Sequence, residues 1–334
     1  MRIWKYSYLD AIMLALSVGQ FVTTLLLSIF WERASALTRA AGFVLLVVMM
    51  VYNIIVVSHL FTHTAWFRSP WLNRLVSLLN SINIGQSVQA YELTHVRNHH
   101  RYNNDQQRPD GKTHDLSSTF RDGARGEHVS AFRYAFLGAI ETFGGVARAH
   151  LSITRLWRVG PHEHDLLRLV AKSAAKRNWE LRQLQLDRMA HFFAHCLFLA
   201  ISWQWFLFCY LPAFFIALAL VNVQNYFEHY GAAPENRYAN SVSYYGRLYN
   251  LLTFNDGYHQ EHHLRPLTHW TQMPRVRREY REKLEQVERI VSPVPAILGA
   301  LHRNRRLLHR NGTAAVPSVS QSASNTLSKA AAGR

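Results

Sequence analysis

The sequence predicts an all-α integral membrane protein: two transmembrane helical hairpins (four crossings), re-entrant or interfacial helices between them, and a cytoplasmic helical cap. Three observations lead there. Apolar residues make up only 49% of the chain, yet they gather in runs long enough to cross a bilayer. Basic residues outnumber acidic ones, 37 to 21, and they lie between and after those runs. Many of the nineteen histidines fall in short clusters with helical spacing.

A helix needs roughly 20 apolar residues to cross the hydrocarbon core. Leu9 to Trp31 meets this requirement, and Ala40 to about Leu60 meets it again. The short link between them, with Glu32, Arg33 and Arg39, makes a tight hairpin. Trp71 to Leu93 is apolar but carries Asn73, Arg74, Asn80, Asn83 and Gln86, which predicts a re-entrant or interfacial segment. Ala131 to Trp157 is interrupted by Gly144–Gly145 and by charged residues, so it reads as helices lying on the membrane surface. Met189 to Phe227 is about twice the spanning length and forms a second hairpin. Its turn is predicted near Tyr210–Leu211–Pro212, because proline ends one helix and can open the next.

The basic residues set the orientation. Arg97, Arg101, Arg121, Lys172 and Arg177 lie between the hairpins, and Arg275, Arg277 and Arg278 follow them. Positive residues stay inside, which places both termini and the middle segment in the cytoplasm, as for a multi-pass protein of a bacterial inner membrane. Residues 1–292 read as one membrane domain, 293–311 as a basic cytoplasmic segment and 312–334 as a disordered Ala/Ser/Thr tail. No small-residue cleavage pattern follows the first apolar run, so it reads as a crossing and not a signal peptide. Cys196 and Cys209 share one apolar run, which leaves no disulfide framework, no Cys-x-x-Cys metal site and no fused rubredoxin-like module. Nucleic acid is a poor partner, since topology accounts for the basic residues and no binding motif appears.

Four histidine groups stand out: His59 and His63; His95, His99 and His100; His229; and His259, His262 and His263. On a helix, positions i, i+3 and i+4 share a face, so each cluster can aim two or three imidazoles at one point. Neutral imidazole suits first-row transition metals, iron and zinc included. Nine ligands are too many for one ion but suit two, with room for water or oxygen. All four groups fall on the side already assigned to the cytoplasm by arginine and lysine alone. A metal transporter would instead string histidines along a path through the bilayer. His191 and His195 repeat the His-x-x-x-His spacing but read as structural or outer-sphere, because the other nine complete a set. His114, His128, His150, His162, His164, His269, His302 and His309 lack such grouping and read as surface residues.

SHLFTH, THVRNHH and YHQEHH resemble the three histidine boxes of the membrane fatty acid desaturase and hydroxylase superfamily, in order and in placement, over about Leu9 to Pro274. Asn225 and His229 resemble the Asn-x-x-x-His element of acyl-CoA desaturases, which makes Asn225 a water-mediated ligand. The first two boxes have the spacing of alkane monooxygenases, whereas EHHLRP is more similar to acyl-lipid desaturases and carotenoid ketolases. The resemblance implies two iron ions held by the nine histidines. Breaking an unactivated C–H bond needs a strong oxidant, which reduced non-haem iron with O₂ can supply and zinc cannot. Desaturation of a fatty acyl or alkyl lipid is the leading outcome, with hydroxylation and oxidative decarboxylation to a terminal alkene as rivals. No fused cytochrome b5 motif is visible, so electrons would come from a separate ferredoxin- or rubredoxin-type donor. Glu92, Asp256 and Glu261 each lie near a box and are candidates to orient imidazole N–H groups. Trp203 and Trp205 could line an acyl tunnel or sit in the aromatic belt.

Overall fold

The computed structural model describes residues 3–124, 126–154, 161–301 and 307–308. The side chain of His162, together with His302, His309 and the tail at 312–334, lies outside the described residues. Helix α1 (Asp10–Phe30) passes through a short 3-10 turn at Trp31–Arg33 into α2 (Ala36–His63). Ser35 starts α2 by accepting a hydrogen bond from the Thr38 amide, one of the donors a helix start leaves unpaired.

Helix α1 is inside out. It buries Ser17, Gln20, Thr24 and Ser28 and exposes Leu16, Val22, Leu26 and Ile29. In water the two sets would trade places, so the medium around this helix is apolar. Helix α2 likewise exposes Val44, Leu45 and Val48. With α8 (Trp203–His229), these are the three helices among the described residues long and apolar enough to cross a membrane.

Helix α3 (Pro70–Ile84) opens with proline in its first turn and closes on Gly85, whose φ of 66° suits a residue without a Cβ. Two of its amides, Asn80 and Asn83, are buried within the bundle. Asn83 donates to the Ser17 carbonyl at 2.8 Å and its own carbonyl accepts from Gln20 at 2.9 Å. Asn53 donates to Gln20 at 2.8 Å, and Ser58 donates to Asn53 at 2.6 Å. A polar side chain surrounded by lipid must find a partner inside the bundle, and this network ties three helices together midway along α1.

Helix α4 (88–102) carries the second histidine cluster. Helix α5 (Ala131–Thr154) runs unbroken through Gly144–Gly145, where separate surface helices were predicted. It packs lengthwise on α8, from Tyr134 beside Asn225 to Phe143 beside Phe214. The glycine pair does not interrupt the helix, and the glycine that serves close packing on α8 is Gly138. A Cβ on Gly138 would stand 2.7 Å from the Asn222 side chain.

Helices α6 (Pro161–Leu169) and α7 (Ala174–Ile201) follow. The long apolar tract turns at Ser202, not at Tyr210–Pro212. Ser202 is extended (φ −154°), and its hydroxyl caps α8 by accepting from the Trp205 amide. Pro212 lies within α8, directly after a π-helical turn at Phe206–Tyr210. That wider turn accommodates the missing N–H, so proline does not end the helix. Trp203 is exposed beside the Ser202 turn, and Trp205 is buried against Phe198 and Tyr210.

Short helices complete the histidine-bearing end: α9 (Arg247–Leu252), α10 (His259–Leu264), α11 (Met273–Glu279) and α12 (Arg281–Glu285). Asp10, buried at the start of α1, accepts from His269 and Trp270, each at 3.0 Å. His269 was predicted at the surface. It is buried because a carboxylate 259 residues away in sequence supplies its partner.

Candidate metal centre

The nine histidines converge. A ring nitrogen from each of His59, His63, His95, His100 and His262 lies within 4.8 Å of the others, and the same holds for His99, His229 and His263. His259 joins the second group, with Nε2 3.3 Å from Nε2 of His229. The groups adjoin: the rings of His100 and His263 are 4.3 Å apart, centre to centre.

Local backbone explains the sorting. His59 and His63 stand one turn apart after a π-helical turn at Asn53–Ser58, where Ser58 bonds back to Asn53. The second cluster departs from α-helical expectation. Leu93–His99 is π-helical, so His95 pairs with His100, five residues on, at 3.2 Å, and His99 turns to the other group. In α10, His262 reaches across to His59 at 3.1 Å while His259 and His263 face His229.

The donor set fits metal ions. Both ring nitrogens of His63 and Nε2 of His99 and His263 are buried and have no hydrogen-bond partner among the described residues. Burial, reinforced by neighbouring imidazoles, holds His95, His100, His259, His262 and His263 well below the usual histidine pKa. They are therefore neutral, the form that ligates. The opposite nitrogens are oriented. His99 Nδ1 donates to Asp115 at 2.7 Å, His263 Nδ1 to Asn103 at 2.8 Å and His229 Nδ1 to the Asn240 carbonyl at 3.1 Å. Such partners fix tautomer and ring direction. Asn103 holds its place in a left-handed turn with Asn104 (φ 49° and 63°).

The three acidic candidates part company. Asp256 lies 3.5 Å from His59 Nδ1 and also accepts from Gln224 and Tyr249. Glu92 instead bonds Gln89 and lies beside Arg97, and Glu261 accepts from Ser243 and Tyr245. Asn225 donates to the Tyr134 hydroxyl at 2.6 Å. Sequence reasoning missed Asp115, Asn103 and Glu228, the last of which lies 3.7 Å from His259. Asp115 carries no local signal, being sixteen residues from the histidine it touches.

Two further histidines predicted at the surface are held by partners in the fold. His150 lies 3.0 Å from His191, and His128 bonds Thr119 and the Gly231 amide. His114 is exposed and bonds Asp105, and His164 is exposed.

A cavity of about 440 Å³ reaches the centre between α2, α4, α5 and α8. His59, His95 and His259 form part of its wall. Ile54, Ile55, Leu218 and Val221 supply an apolar stretch, and Gln86, Asn222, Gln224 and Arg188 a polar one. Trp203 and Trp205 are not among the residues that line it.

Comparison with known proteins agrees with this picture. The sequence signature of fatty acid desaturases matches residues 35–293, well over half the chain. A stretch of 52 residues is 50% identical to the sphingolipid delta(4)-desaturase of Candida albicans, covering 15% of this chain and 14% of that protein. With its apolar helices and converging histidines, the chain belongs to the fatty acid desaturase family.

Proposed function

We propose that the protein is a membrane-bound, O₂-dependent lipid desaturase whose nine histidines hold two iron ions. The observation that carries this reading is the cavity that opens onto His59, His95 and His259 with an apolar stretch beside them. His59, His63, His95, His100 and His262 would hold one ion, and His99, His229, His259 and His263 the other. Iron in this setting, reduced by a separate ferredoxin- or rubredoxin-type protein, supplies with O₂ the oxidising power that a saturated chain requires.

The protein's share is positioning. Ile54, Ile55, Leu218 and Val221 exclude water from the reacting methylenes. Asp115, Asn103 and the Asn240 carbonyl keep Nε2 of three ligands aimed inward. Asn225, held by Tyr134, borders the cavity, and it would reach the ion through a water. Removal of two hydrogens yields a double bond, whereas return of oxygen to the same carbon would yield an alcohol.

The polar wall bears on substrate. Gln86, Asn222, Gln224 and Arg188 sit in the cavity itself, so part of the lipid near the reacting carbons is polar. A sphingolipid, with amide and hydroxyl groups a few carbons from the methylenes concerned, suits this lining and accords with the activity named for the Candida relative. For topology, we infer that the apolar second half of α7 pairs with α8 as a second hairpin. Ser202, at its turn, lies 3.4 Å from Glu32 at the turn of the first. The basic residues at the opposite end favour a cytoplasmic metal centre.

Expression in a host fed saturated ceramide, followed by lipid mass spectrometry and iron analysis, tests the assignment. Products lacking two hydrogens and about two irons per chain are expected, both lost in His262→Ala. Products that gain oxygen would favour hydroxylation; an iron-free wild type with unchanged lipids would end the proposal.

A further inference from the structure

Three histidines outside the nine form a cluster of their own. His150 comes from α5, while His191 and His195 stand one turn apart on α7, and a ring nitrogen of each lies within 4.8 Å of the others. His150 Nε2 is 3.0 Å from His191 Nδ1. Within the nine-histidine centre the closest nitrogen pairs stand 3.1, 3.2 and 3.3 Å apart. Two ligands held roughly 2.0–2.1 Å from one ion acquire this spacing.

We propose that His150, His191 and His195 bind a single divalent ion, zinc, at a site separate from the redox centre. One imidazole–imidazole hydrogen bond would account for the 3.0 Å pair, but not for the third ring gathered at the same point. A neutral imidazole carries one acceptor nitrogen, and three of them brought to one point between two helices form a donor set for a cation. Three histidines with an open fourth position are a common zinc environment. The Tyr210 hydroxyl lies 2.9 Å from His195 Nε2 and steers that ring, as outer partners of metal ligands do.

The location suggests what the ion does. His191 and Arg188 belong to the wall of the 440 Å³ cavity. His150 and His195 belong to that of a second cavity of about 300 Å³, which is apolar and lined by Phe143, Phe192, Leu199 and Phe214. The site therefore stands where the two spaces adjoin. Helix α5 rests chiefly on α8, and an ion shared with α7 would fix its far end and so the boundary of the substrate cavity. No electron transfer is involved.

The test uses the full chain, purified in detergent, loaded with iron, equilibrated with Zn²⁺ and freed of loosely held ions. Plasma mass spectrometry should find one zinc per chain. The double variant His191→Gln/His195→Gln should lose it, and His150→Gln should bind it at least tenfold more weakly, with iron unchanged in both. Iron retention reports that the variants fold, and because iron is read in the same sample, a missing redox centre shows itself separately. No zinc in the wild type, or equal zinc in wild type and variants, would overturn the site. Should the variants fail to accumulate, zinc X-ray absorption on the wild type decides: imidazole scattering is expected, and a shell without it refutes the proposal.

Discussion

His99 Nδ1 lies 2.7 Å from Oδ2 of Asp115, and both side chains are completely buried. Burial alone would raise the pKa of this carboxyl. The adjacent His99 and the amides of Ser117 and Asn104 reverse that and hold it below the usual carboxylate value. Asp115 is thus an anion that keeps the proton on Nδ1 and leaves Nε2 for an ion.

Replacing this carboxylate should therefore loosen the second group of ligands. Asp115→Asn keeps the size but removes the charge, and iron affinity is expected to fall about 10- to 100-fold. Chelator competition on purified protein measures this. Wild-type affinity in the variant would show that His99 needs no such partner.

How much of this was legible beforehand follows from the range of each interaction. The nine converging histidines were visible because they recur at short intervals in a few stretches of the chain. Their sorting was not: pairing His95 with His100 depends on a π-helical turn that α-helical spacing conceals. Asp115, Asn103 and the pairing of His150 with His191 join residues far apart in sequence, so no local pattern announces them. Pro212 misled because a π-turn can absorb it, while Ser202, with a capping hydroxyl, drew no attention. The inside-out character of α1 was latent in its Ser, Gln and Thr positions, but which stripe faced the bundle needed its neighbours.

That stripe should matter for stability. Gln20 joins Asn83 of α3 to Asn53 of α2, and Gln20→Leu leaves Asn53 Nδ2 without this acceptor. Hydrogen bonds between membrane helices contribute about 0.6–1.7 kcal/mol each. Losing two should lower the midpoint of thermal unfolding in detergent. An unchanged or higher midpoint would mean that lipid-like packing of leucine offsets the network.

Acid sensitivity is expected from His128, which burial pushes down to about 4. Its Nε2 accepts from the Gly231 amide and its Nδ1 donates to Thr119, which requires the neutral ring. The folded pKa lies below the unfolded value of about 6.5, so protons favour the unfolded chain. The resulting stability is full above pH ~6.5 and drains away as pH falls towards 4. Wild type should lose melting temperature across that window more steeply than His128→Gln. Parallel curves would assign the acid loss to other groups.

The shape of the cavity can be probed without touching a histidine. At Gly138, α5 approaches α8 so closely that a new Cβ would stand 2.7 Å from Oδ1 and 2.9 Å from Cγ of Asn222. The obstacle is the end of a side chain, so Gly138→Ala should be relieved by rotation of Asn222, which lines the cavity, and not by separation of the helices. Intruding on a substrate pocket by about one methyl group costs ~1–2 kcal/mol. KM for the lipid is therefore expected to rise about tenfold, with iron content and thermal midpoint little altered. Adding Asn222→Ser shortens the displaced group while keeping a polar atom on the wall, and should restore KM. If the double variant is as impaired as the single, the contact between the helices, and not the cavity wall, is what Gly138 protects.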